Sequence, residues 1–106
     1  MAGKYSKDML PSEVKERLAK GETLSILDVR ELDEWESGHI PGAKHIPLGS
    51  LSERHKELDP KQETIIVCRS GNRSGLACEH LEALGYKVVN MLGGMNQWDG
   101  EMKYGK

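Results

Sequence analysis

The stretch Thr64-Ile65-Ile66-Val67-Cys68 constrains the fold of this chain more than any other. It is an unbroken β-prone run with no polar alternation, which is how a strand reads when both of its faces are covered. Covering both faces needs layers on either side of a sheet, so the rest of the chain is expected to supply helices. The next residues, Arg69-Ser70-Gly71-Asn72, have loop chemistry. From Arg73 to Leu84 the spacing turns helical, with Ala77, Leu81 and Leu84 on one face and Gly85 as the C-terminal stop.

The same alternation runs through the whole chain. Pro11 and Glu13 open a helix over 11–19 that Gly21 ends. Leu24 to Val29 reads as a strand that becomes charged at the sheet rim, at Asp28 and Arg30. A short helix over 31–37 closes at Gly38, and His39-Ile40-Pro41-Gly42-Ala43 is turn chemistry. Lys44 to Pro47 reads as a brief strand. Leu51 and Leu58 bracket a polar helical stretch that Asp59-Pro60 terminates, and Val88 to Met91 reads as a last strand. Leu92-Gly93-Gly94 then leads through a short helical turn to Trp98, and a polar tail begins at Asp99. Strands alternating with helices imply a parallel sheet with helices on both faces, an α/β fold.

With 106 residues, the expectation is one domain with no second core, residues 5–98 forming its body and 99–106 a polar tail. Net charge is −2, from 15 Lys and Arg against 17 Asp and Glu. That balance argues against nucleic acid or an anionic membrane as partner, since both demand a basic excess. The longest apolar run, Ile65 to Cys68, is far short of the ~20 residues that span a bilayer. The stretch 1–7 is polar and basic with no apolar segment behind it, so a cytoplasmic location is expected. Two cysteines are too few for a disulfide scaffold, and His39, His45, His55 and His80 lack metal-ligand spacing, so no metal is expected.

In α/β folds ligands collect where strands end and helices begin. That draws attention to Cys68, which closes the central strand just before a helix whose free N–H groups face back toward the junction. Arg69 and Arg73 add cations there, and such a field favours thiolate over thiol. Small residues at Ser70, Gly71 and Ser74 let the loop curl so that backbone amides converge on one anion. Cys78, on the helix beside the Leu81 face, reads as buried filler. Asp28 and Arg30 read as structural ion-pair residues with Glu34 or Glu36 as partners. His39 is expected to satisfy backbone groups in its turn, and Trp98 to plug the core.

Three segments together resemble the rhodanese family of sulfurtransferases. Leu27-Asp28-Val29-Arg30, with Glu34-Trp35 and Gly38-His39-Ile40-Pro41-Gly42-Ala43, is similar to the family's first signature. Cys68-Arg69-Ser70-Gly71-Asn72-Arg73-Ser74 is similar to its active-site loop, and Leu92-Gly93-Gly94 with Trp98 to its closing motif. The resemblance implies a five-stranded, mostly parallel sheet and a thiosulfate:cyanide type of sulfurtransferase. Cys68 would carry sulfane sulfur as a persulfide, and residues 69 to 74 (Arg69, Ser70, Gly71, Asn72, Arg73, Ser74) would bind the substrate. No metal or organic cofactor is implied. The partners implied are thiosulfate or a low-molecular-weight persulfide as donor, and cyanide, a thiol or a sulfur-accepting protein as acceptor.

Two other classes share parts of this pattern. A sulfur carrier or binding module without turnover would have the same fold. A cysteine phosphatase or arsenate reductase also uses a strand-end Cys and an Arg, but the phosphatase pattern puts that Arg six steps after the Cys. Here Arg73 is the fifth, and the sixth position is Ser74.

Overall fold

The computed structural model describes residues 5–105. Residues 1–4 of the basic N-terminal stretch, and residue 106 of the tail, lie outside them. Nine principal elements follow in order: β1 (Asp8–Met9), α1 (Pro11–Ala19), β2 (Ser25–Asp28), α2 (Leu32–Glu36), β3 (Lys44–His45), α3 (Leu51–Arg54), β4 (Thr64–Val67), α4 (Asn72–Ala83) and β5 (Val88–Met91). Single 3₁₀ turns at Leu48–Ser50, His55–Glu57 and Gly94–Gln97 complete the chain path. The stretch expected as one helix between Leu51 and Leu58 is thus one α turn and one 3₁₀ turn, with both leucines buried.

The sheet has five strands in the order β1-β5-β4-β2-β3, every neighbouring pair parallel. At the centre Ile66 stands opposite Leu27 on one side and Asn90 on the other. Alternate residues of a strand face opposite sides, and β4 divides accordingly. Ile66 joins Leu27, Val88, Ala77, Cys78 and Leu81 beneath α4, and Cys68, continuing that parity, lies in the same cluster. Ile65 and Val67 join Ile26, Val89, Met91 and Val14 of α1 on the other face. The unbroken apolar run at β4 reflects these two cores.

Four features depart from the sequence reading. The two-residue strand β1 was not expected; it is an edge strand held by Asp8–Asn90 and Met9–Met91 register. Leu84, assigned to the buried face of α4, is 48% exposed. The helix ends at Ala83 and Gly85 turns the chain at φ +96°, while Ser74, Gly75 and Cys78 fill the inner face. The residues after Trp98 are docked against the body: His39 and Lys103 exchange backbone hydrogen bonds of 2.9 and 2.8 Å, and the Gly105 N–H donates to the Glu36 carbonyl. Asp28 and Arg30 pair with each other, buried, and not with Glu34 or Glu36. Arg30 Nη2 donates to Asp28 Oδ2 at 2.8 Å and to the Gly38 carbonyl at 2.7 Å, pinning the strand exit to the turn after α2.

His39 and Trp98 follow expectation. The His39 ring donates from Nδ1 to the Trp35 carbonyl at 2.7 Å and stacks on the Trp35 ring, with centroids 3.5 Å apart. Trp98 packs on the α1-side core and donates its indole N–H to the Glu101 carbonyl. No helix among the described residues is long and apolar enough to cross a membrane.

Candidate active site

Cys68 follows β4 directly, and Gly71 caps α4 four residues before Gly75, whose N–H it accepts. Gly71 has φ +101°, a left-handed conformation that L side chains rarely adopt. This turn swings the Gly71 N–H back onto the sulfur, 3.0 Å from Cys68 Sγ. The thiol in turn donates to Ser74 Oγ at 3.3 Å. Cys68 is completely covered in this state, while Arg69, Ser70 and Asn72 are exposed on the loop above it. The loop from 68 to 74 is therefore brought together as expected, with Gly71 and Ser74 touching the sulfur.

The two arginines part company. Arg73 forms a two-pronged ion pair with Glu34 of α2, Nη1 to Oε1 at 2.7 Å and Nη2 to Oε2 at 2.8 Å. It ties α2 to the start of α4. The Arg73 hydrogen bonds are the main reason Glu34 titrates at about 2, well below its ordinary 4.5. Both arginines read from the sequence as cations of the Cys68 loop: Arg73 is engaged by Glu34, with Cys68 also among the groups that raise its pKa, and Arg69 is exposed. Glu34 and Arg73 each stand out in the sequence, but their pairing across 39 residues does not.

Beneath the loop lies a second support. The Met95 N–H donates to the Cys68 carbonyl at 2.8 Å and the Asn96 N–H to the Arg69 carbonyl at 2.9 Å. Gly93 and Gly94 bring this turn so close that a Cβ on Gly94 would collide with the Cys68 carbonyl oxygen and stand 2.6 Å from the Arg69 carbonyl carbon. The Leu92-Gly93-Gly94 motif thus acts on the loop by contact.

Asn90 of β5 reads from the sequence as an ordinary strand residue. It is 1% exposed, and its amide meets the loop from below. Oδ1 accepts from Ser74 Oγ at 2.5 Å, while Nδ2 donates to the Gly71 carbonyl at 3.2 Å and to Tyr5 Oη at 2.8 Å. A polar residue facing the core in an otherwise apolar strand was the signal that marked it. Burial is the main reason the Tyr5 hydroxyl titrates above its ordinary 10.0. Cys78 is fully buried in the core, where the filler reading puts it, and burial pushes its thiol up to about 12.

Similarity to known proteins agrees with this geometry. A model of the rhodanese-like domain matches residues 10–101. "Putative sulfurtransferase YtwF" of Bacillus subtilis is 41% identical, over 92% of this chain and 94% of that protein. "Putative sulfur carrier protein YrkF" of the same organism is 44% identical over 82% of this chain, which spans about half of that longer protein, 48%. The crystal structure of a rhodanese-like domain protein from Staphylococcus aureus superposes with a TM-score of 0.89 at 33% identity, covering 95% of this chain and all of that one. With the fold, the loop and these likenesses in agreement, the chain belongs to the rhodanese-like domain family of sulfurtransferases and sulfur carriers.

Proposed function

We propose that this protein turns over as a sulfurtransferase, taking sulfane sulfur from thiosulfate or a low-molecular-weight persulfide onto Cys68 and passing it to a thiol or cyanide. The observation that carries this reading is the Gly71 N–H aimed at Cys68 Sγ from 3.0 Å at the head of a twelve-residue helix. A donor placed there stabilises sulfur in its anionic forms, thiolate and persulfide. The likeness to a protein named sulfurtransferase supports the same reading, and the likeness to one named sulfur carrier supports the loading of sulfur without deciding turnover.

In the first step the Cys68 thiolate attacks the outer sulfur of thiosulfate. A new S–S bond forms, the old one breaks, and sulfite leaves with the bonding pair, its charge eased by Arg69. In the second step cyanide or a thiolate attacks the terminal sulfur, and Cys68 recovers its electron pair. Because Cys68 has no exposed surface at rest, the loop over it must yield before a donor can reach the sulfur.

Loading with thiosulfate or glutathione persulfide, followed by intact mass and peptide mapping, tests the reading. One added sulfur on Cys68 is expected, with turnover to cyanide and thiols. Turnover is expected to be lost in Cys68→Ser and kept in Cys78→Ala. Sulfur mapping to Cys78 overturns the assignment. Loading without turnover identifies a carrier, and release from an aryl phosphate at a comparable rate favours the phosphatase class.

A further inference from the structure

The hydroxyl of Ser74 has one hydrogen and two neighbours able to take it. Cys68 Sγ lies 3.3 Å away and Asn90 Oδ1 2.5 Å away. An amide oxygen only accepts, so the short contact to Asn90 requires Ser74 to be its donor. The hydroxyl then shows Cys68 a lone pair, which suits a thiol S–H and not a thiolate. All three residues are at least 99% buried, so no water competes for these bonds. Asn90 is itself held fast, its Nδ2 donating to the Gly71 carbonyl and to Tyr5 Oη.

We infer that Asn90 is a positioning residue for Cys68. By claiming the Ser74 proton, it withholds a second hydrogen-bond donor from the sulfur. This rests on the reading of Cys68 as the sulfur-carrying group. When the sulfur becomes anionic, the S–H bond breaks and its proton leaves to a solvent base. The Ser74 hydroxyl then rotates to donate to Sγ, and Asn90 Oδ1 gives up its donor. The buried amide oxygen thus competes with the anionic sulfur for the Ser74 hydrogen, while the Gly71 N–H serves the sulfur directly. The sulfur is restrained until the loop opens to a donor.

The test is the rate at which Cys68 reacts with iodoacetamide at neutral pH, read by mass spectrometry on the folded protein. No sulfur donor is involved, so a failure here is distinct from a failure of the sulfur-transfer reading. Asn90→Leu removes the competing acceptor and is expected to alkylate roughly tenfold faster, the scale of one hydrogen bond to a charged group. Asn90→Ala, which lacks the acceptor without added bulk, must show the same acceleration and serves if the leucine variant does not fold. Asn90→Asp keeps the acceptor and is expected to be no faster than the parent. In a Ser74→Ala background Asn90→Leu should change nothing further. An unchanged rate in folded Asn90→Leu and Asn90→Ala overturns the inference. So does an equal acceleration without the Ser74 hydroxyl, which would mean that Asn90 only stiffens the loop.

Discussion

Replacing Glu34 by Gln removes the charge that Arg73 is built around while keeping size and shape. Glu34 titrates at about 2 when folded against an ordinary 4.5. That gap of about 2.5 pH units, at 1.36 kcal/mol per unit, sets a ceiling of about 3.4 kcal/mol on what the charged form contributes to stability. The side chains of Glu34 and Arg73 are 24% and 33% exposed, so solvent screening reduces this to about 1–2 kcal/mol. For a domain of this size such a loss lowers the melting temperature by roughly 5–15 °C. The sign follows from the depressed value: the contribution is full above pH 4.5 and is lost as pH falls toward 2. Urea unfolding of parent and Glu34→Gln at pH 7, 4 and 2.5 reads it directly. The gap between the two proteins should be widest at pH 7 and shrink to roughly a quarter of that at pH 2.5. Glu57, also held near 2, chiefly by Arg54, is present in both proteins and cancels in the difference. A gap that stays constant with pH, or a variant as stable as the parent at pH 7, refutes the reasoning.

Gly94→Ala drives a methyl into the Cys68 and Arg69 carbonyls at a residue with φ +56°, so it should cost at least about 2 kcal/mol in urea unfolding and most of the sulfur-transfer rate. Full turnover in that variant would show that the turn at 94–97 does not set the loop. Arg69→Met, on an exposed residue, should leave stability within about 0.5 kcal/mol. It should raise KM for thiosulfate about fivefold, from ~1 kcal/mol of attraction at 4 Å in water, with the difference shrinking in high salt. An unchanged KM for thiosulfate would remove Arg69 from the account of donor binding.

Those parts of this protein that local physics controls are legible from the residues alone. The run Thr64 to Cys68, the helix opening at Pro11 and the strand at Val88 are each announced by residues within one or two turns of themselves. The resemblance carried by Asp28 to Arg30, Cys68 to Ser74 and Gly93-Gly94 led to the family, and it pointed to Cys68 because strand, loop and helix are contiguous there. Tertiary structure decided which distant residues meet. Glu34 and Arg73 are 39 positions apart, and Asn90 and Ser74 are 16 apart. Nothing local distinguishes Glu34 from Glu36 as a partner, or Asn90 from a polar residue at a strand rim; only the parallel order β5-β4-β2 lays β5 beneath the loop and brings α2 against α4. The short strand β1 and the docking of Lys103 on His39 were hidden for the same reason: two residues carry no periodic signal, and their hydrogen bonds exist only once a partner backbone has been folded beside them.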